Sequence, residues 1–214
     1  MRRYRENLKY NTIKQSKQIV KDNMYREDID ENDYFFFNVK SDNKGEPILG
    51  AGKCDPEKKK IKCDHSSHLN LMLTSVKLMS YVECDGVFHI DGTHGIVKNR
   101  FPLDVFAVTD MHGQIHPIAL MLTSFETVYD FDQFYEGLIK LEENLNLNFD
   151  PEYIMQDACE ASYNSARKYF PDAVILICFF HVMQNVNILF IFYIFILLIY
   201  SLFIHYYRLE SIRH

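Results

Sequence analysis

Val87-Phe88-His89-Ile90-Asp91-Gly92-Thr93-His94 is the stretch on which the fold turns. Val87 to Ile90 reads as a strand, because β-branched and aromatic side chains suit a pleated, half-buried surface. The run stops at Asp91, and Gly92 follows it, a residue that lets a backbone or another group approach closely. Leu103 to Thr109 reads as a second strand, Asp110-Met111-His112-Gly113 as a hairpin turn with glycine last, and Ile115 to Leu122 as a third strand. Strands joined that tightly must be antiparallel. Phe131, Phe134, Tyr135, Leu138, Leu141 and Leu145 then recur at three- and four-residue spacing, the period of a helix. Pro151 resets the chain, Tyr153-Ile154-Met155 gives a short strand ending at Gln156-Asp157, and Ala158 to Tyr169 reads as a second helix stopped by Pro171. Ala173 to Phe179 is continuous and apolar, the pattern of a strand buried on both faces. Three strands, helix, strand, helix, strand predicts an α/β fold with a mixed sheet covered by helices.

Two residues in this pattern can carry chemistry. Asp91 ends the first strand and Asp157 ends the fourth. If those strands lie side by side and parallel, both carboxylates reach one edge of the sheet. Carboxylates gathered in that way hold hard divalent cations through oxygen. A pair of such ions about 3.5–4 Å apart can serve both the attacking and the leaving oxygen of a phosphodiester. The plainer reading makes both residues turn formers at strand ends, and spacing alone favours it.

A resemblance bears on the choice. Phe88-His89-Ile90-Asp91-Gly92-Thr93-His94 resembles the opening signature of the Mutator-like (MULE) transposases. Phe101-Pro102-Leu103, Phe106-Ala107-Val108-Thr109-Asp110 and His116-Pro117-Ile118-Ala119 are similar to that family's second and third strands. Glu126 stands where the family commonly has a glutamate before its first long helix, and Ile154-Met155-Gln156-Asp157-Ala158 resembles the segment with its second acid. Ala166 to Ala173 and Cys178-Phe179-Phe180-His181-Val182-Met183-Gln184-Asn185 follow the family's Phe-Pro and Cys-x-x-His run. Each piece is weak alone; the ordered set, over about a hundred residues, is specific. It implies a ribonuclease H-like fold and cut-and-paste DNA transposition in the nucleus, acting on transposon ends and leaving an oligomer open. Asp91 and Asp157 would be the catalytic and metal-binding acids, the first two of an Asp-Asp-Glu triad holding Mg²⁺ (or Mn²⁺). The third acid has no counterpart here: Glu210 is the only carboxylate after Asp172 and follows a stretch unlike the family's. Catalysis is therefore expected to be incomplete, and the alternative is a non-catalytic DNA-binding or regulatory remnant.

Cys178 and His181 are half of a four-ligand Zn²⁺ site. Only His205 and His214 follow them as further His or Cys, so a complete site is not expected, and a buried cysteine at a strand end with His181 opening a helix is the favoured reading. Cys54, Cys63, His65 and His68 form a second cluster whose spacing fits no standard finger. Glu160 could lean toward the metal edge from the first turn of its helix, or simply be solvated where the helix dipole favours it.

Around this core the chain divides into a charged lead-in (1–64), the α/β domain (65–186, core 86–186) and an apolar tail (187–214). Composition permits a packed core, with 48% hydrophobic and 14% aromatic residues, and excludes a wholly disordered chain. The net charge of -6 argues against a uniformly basic nucleic-acid binder. Basic residues nevertheless cluster at Arg2, Arg3, Arg5, Lys9, Lys14, Lys17, Lys21 and Arg26, and again at Lys58, Lys59, Lys60 and Lys62, where phosphate contact competes with a solvated face. Tyr34 to Val39 reads as a short strand. Five scattered cysteines without an apolar leader suggest reduced thiols inside a cell.

Ile188 to Ile204 holds no charge and, at seventeen residues, sits at the lower limit for a membrane span. It is expected to form a hydrophobic helix, whether as a membrane anchor or as sequence foreign to the domain. Phe, Ile, Leu and Tyr are encodable by A/T-rich triplets, and Val186-Asn187 can be read as GTAAAT, a splice-donor sequence. A retained intron or a frameshift is therefore the favoured origin. Genomic sequence is expected to show those codons, with a family-like reading frame downstream. Other codons there, and no such frame, would overturn this origin.

Overall fold

The computed structural model describes residues 13–50, 67–97, 100–183 and 186. Residues 1–176 and 177–214 are two separate compact units. The first is built on a seven-stranded mixed sheet flanked by helices. Its elements are α1 (Ile13–Asp22), β1 (Tyr34–Phe37), β2 (Asn70–Ser75), α2 (Val76–Met79), a 3-10 turn (Ser80–Glu83), β3 (Gly86–Thr93), β4 (Leu103–Asp110), β5 (Ile115–Thr123), α3 (Val128–Leu145), β6 (Tyr153–Gln156), α4 (Glu160–Tyr169) and β7 (Val174–Ile177). The strand order is β1-β2-β5-β4-β3-β6-β7. Of the second unit, 177–183 and 186 are described, with a helical turn over 179–183.

The hairpin forms where its turn chemistry predicts. Asp110 Oδ1 accepts the N–H groups of His112 and Gln114, each at 2.9 Å, and Gly113 takes the φ of 77° that a side chain would resist. His116 Nε2 lies 2.9 Å from Asp110 Oδ2. These bonds hold the Asp110 carboxyl down at about 2, with His116 the largest cause. β4 and β5 then pair antiparallel, with one irregularity between Phe106 and Ala107.

α3 crosses the sheet with the apolar stripe its spacing predicted. Phe131, Phe134, Tyr135, Leu138 and Leu141 are all buried. Phe106 receives Phe134 and Tyr135 edge-on at 6.0 and 6.2 Å between centroids and stacks on Phe88 at 5.7 Å. The helix ends at Asn146, whose left-handed φ of 52° turns its N–H back to the carbonyls of Glu142 and Glu143.

The start of α3 is tied to β2 by a buried polar knot. Asp130 is fully buried, and its Oδ2 accepts Thr127 N at 3.1 Å and Thr127 Oγ1 at 2.6 Å. Its Oδ1 lies 2.8 Å from His68 Nδ1 and accepts Asn70 Nδ2 at 2.8 Å. Thr123 Oγ1 donates to Asn70 Oδ1 at 2.6 Å, which brings β5 into the same knot. His68 thus has a partner the zinc reading did not foresee; Cys54, Cys63 and His65 lie outside the described residues.

Two expectations change. Val87–Ile90 extends to a strand ending at Thr93, so Asp91 lies within β3 rather than after it. The strand expected over Ala173–Phe179 is shorter, and it is not buried on both faces: Val174 is 49% and Ile177 54% exposed. The reason is its place at the end of the strand order, with β6 as its neighbour. The apolar run over Asn70–Ser75 forms β2 and gives way at once to α2. There the Ser75 hydroxyl accepts Leu78 N–H, so two periods meet within one apolar stretch. Tyr34–Phe37 does form a strand, antiparallel to β2 at the sheet's edge. A parallel bridge between Met24 and Phe36 covers its other side, with Tyr25 N donating to Phe36 O and Phe36 N to Asn23 O.

Among the described residues, no helix is long and apolar enough to cross a membrane. The run 188–204, and with it the expected hydrophobic helix, lies outside them. The basic residues before 13 and at 58–62 also lie outside.

Replacing Asp130 by Ala removes the acceptor shared by buried His68 and half-buried Asn70 and Thr127. Urea unfolding is expected to show a loss of about 3–5 kcal/mol. A loss under about 1 kcal/mol would mean that the knot is not what seats α3.

Candidate functional site

β3 and β6 are parallel neighbours in a register that pairs Val87 with Tyr153 and Ile90 with Gln156. Asp91 and Asp157 each follow the last of these pairs, so both carboxylates come to the same edge of the sheet. Asp91 is exposed and Asp157 half-buried. Asp157 Oδ1 accepts the N–H of Cys159 at 3.0 Å, a local turn that delays α4 to Glu160. The turn-forming role of Asp157 is therefore real, and it orients the side chain that the metal reading needs.

A third carboxylate arrives from β4. Asp104 stands directly across from Gly92 in the antiparallel β3–β4 pair. It is 2% exposed, and its Oδ2 is buried without a hydrogen-bond partner. Glu126, in the loop before α3, supplies a fourth. A Cβ on Gly92 would fall 2.8 Å from Asp104 Oδ1 and 3.0 Å from Glu126 Oε1, so glycine is what leaves room for both. His94 Nε2 approaches Glu126 Oε2 at 3.7 Å.

The electrostatics follow from the gathering. Burial pushes the Asp104 carboxyl up to about 7, and the charges of Glu126, Asp157 and Asp91 push the same way. Burial, helped by Asp157, also raises Glu126, while His94 opposes it. These carboxylates offer only oxygen, the donor type that hard divalent cations take. As the side chains stand, however, no group of three or more His, Cys, Asp or Glu among the described residues could hold a metal ion.

Asp104 was missed because Leu103 to Thr109 reads as an apolar strand. The signal was present: Asp104 has the same parity as Phe106 and Val108 and so must face the helix-covered side. Cys178 directly follows β7, and His181 lies in the turn over 179–183, where Val182 N donates to Cys178 O. They complete no described metal group. Glu160 opens α4 and is exposed. A separate cavity of about 740 Å³ lies toward the start of β3, lined by His89, Thr109, Tyr153 and Met155. There the His89 ring meets Thr109 Oγ1 at 2.7 Å, and burial lowers its pKa.

Comparison with known families shows what the segment around this edge is similar to. Residues 87–185 match the family model of the MULE transposase domain. This stretch is similar to a MULE transposase domain. No curated protein matches the chain. The match begins in β3 and takes in Asp91, Asp104, Glu126 and Asp157, whereas β1 and β2 precede it.

The raised Asp104 gives a pH dependence of definite sign. Its pKa in the fold exceeds the ordinary 3.8, so the folded chain keeps a proton that the unfolded chain releases. Stability is therefore lost as pH climbs from about 4 to about 7. Asp104→Asn is expected to match the parent near pH 4 and to exceed it by on the order of 4 kcal/mol at pH 8 without divalent cations. Thermal melts across that range check it, and a gap that does not widen with pH would refute an ionised, buried Asp104.

Proposed function

We propose that this chain is a fragment of a DDE-type, Mutator-like DNA transposase with a ribonuclease H-like catalytic domain. Its descent is from metal-dependent DNA strand cleavage and transfer in the nucleus. The placement of Asp91 and Asp157 at one edge, inside the segment that matches the MULE transposase domain, carries this reading. Three antiparallel strands followed by a helix and a parallel strand support the ribonuclease H-like assignment. Asp91 and Asp157 would hold Mg²⁺ or Mn²⁺. A cation bound there would supply positive charge to the oxygens that attack and leave phosphorus.

The residues themselves prepare the site in three ways. The parallel β3–β6 pair fixes the two strand ends, the Asp157–Cys159 turn sets one carboxylate, and Gly92 keeps the space beside Asp91 clear of a side chain. The triad's third acid is what this chain does not supply: no carboxylate stands between Asp172 and Glu210, and Glu210 follows the apolar run. With two acids of three, metal and scissile phosphate are poorly positioned, and a misplacement of 1 Å can lower the rate about a hundredfold.

The chain is expected to show no strand transfer on transposon-end DNA with Mg²⁺ or Mn²⁺. Any residual nicking above an EDTA control should drop at least tenfold in Asp91→Asn. Equal cleavage by both proteins would remove the catalytic reading. DNA retention that weakens steeply with salt, without cleavage, would instead mark a DNA-binding remnant.

A further inference from the structure

The carboxylates at the Asp91–Asp157 edge repel a phosphate backbone, so a DNA strand lying there needs positive charge close by. Three loops leave strands at this edge: 94–102 after β3, 124–127 after β5 and 157–159 after β6. Ser124 to Thr127 and Asp157 to Cys159 contain no basic residue, so among these loops the positive side chains come from the first. The Thr93–Leu103 pair closes that loop, and Asp91 lies two residues inside the pair, about 7 Å along the strand. His94, at one end of the loop, approaches Glu126 Oε2 at 3.7 Å. Arg100, at the other end, is exposed and makes no ion pair with a described residue.

The backbone of Arg100 is unusual for such a side chain. Its φ is 56°, in the left-handed region that residues other than glycine, asparagine and aspartate rarely enter. Hydrogen bonds on either side hold it there. Arg100 N–H donates to Val97 O at 2.9 Å, and two residues on, the carbonyl of buried Pro102 accepts Thr123 N–H at 3.1 Å. An exposed guanidinium is thus carried on a backbone fixed at both sides, an arrangement that suits contact with a ligand rather than packing.

We propose that Arg100 is a DNA-binding residue, whose guanidinium takes a backbone phosphate of the strand lying over the Asp91–Asp157 edge. This rests on the reading that the edge faces DNA, and it adds the residue that holds the strand against the repulsion of the carboxylates. A guanidinium pairs with two phosphate oxygens at once, whereas a lysine ammonium offers only a point charge. The contact ends on the phosphate, so it positions the strand without reading its sequence. The Thr93–Leu103 pair fixes its distance from Asp91, and the contact needs no bound cation to form.

The test is fluorescence anisotropy of a labelled duplex oligonucleotide titrated with the full chain in EDTA, repeated over a range of salt. Arg100→Gly removes the guanidinium, while glycine adopts a φ of 56° freely, so a loss of binding does not arise from backbone strain. Binding is expected to weaken severalfold, and the slope of log affinity against log salt to fall by about one. Arg100→Lys should recover the slope and part of the affinity. Arg167→Gln, in the last turn of α4, should bind like the parent. The proposal is overturned if Arg100→Gly binds like the parent with an unchanged salt slope, or if Arg167→Gln loses as much. A parent that does not bind the duplex overturns it as well. None of these results removes the two-acid reading, whose separate measure is the Mg²⁺-dependent nicking lost in Asp91→Asn.

Discussion

Because β3 and β6 run parallel, the chain cannot turn tightly between them and must cross the sheet to come back. The β4–β5 hairpin and α3 occupy that crossover, and α3 lays its aromatic stripe over the inner strands on the way. Parallel pairing also aligns the carboxyl ends of two strands distant in sequence. Asp91 and Asp157 therefore become neighbours through backbone hydrogen bonding, before any attraction between side chains enters. The aromatic cluster of Phe88, Phe106, Phe134 and Tyr135 is the cost-free half of this arrangement. The acidic edge is the costly half.

Two buried aspartates show how differently one fold treats the same side chain. Asp130 is surrounded by donors from Thr127, Asn70 and His68, and it joins helix to sheet. Asp104 faces other carboxylates and keeps an oxygen without a partner. Burial alone would disfavour both ionised forms. The presence or absence of donors therefore decides which of them ties helix to sheet and which keeps a buried oxygen without a partner.

The elements with strong local signals were legible in the sequence. The hairpin at Asp110–Gly113 is written in turn chemistry, and α3 is written in the spacing of Phe131, Phe134, Leu138 and Leu141. The parallel meeting of β3 and β6 could be anticipated only as an option, since strand order depends on long-range pairing. β2 was obscured because its apolar run passes into a helix at Ser75, so neither period dominates. Asp104 was obscured for a related reason: a single polar residue in an apolar strand is averaged away unless the strand's parity is followed to its buried face. Asp91 and Asp157 stood out because each follows an apolar run in the sequence, whereas the closeness of Glu126 to Gly92 depends on a loop that no local pattern places.

The bridge that covers β1 has a consequence for how this protein could associate. Tyr34–Phe37 would otherwise present an aromatic edge strand with open backbone groups, the kind of edge to which another chain readily adds. Met24, Tyr25 and Asn23 occupy the Phe36 position of that edge through backbone bonds. The segment after α1 thus acts as a guard against strand-to-strand polymerisation, and a form of the chain lacking it would carry a self-templating seam beside an otherwise well-packed sheet.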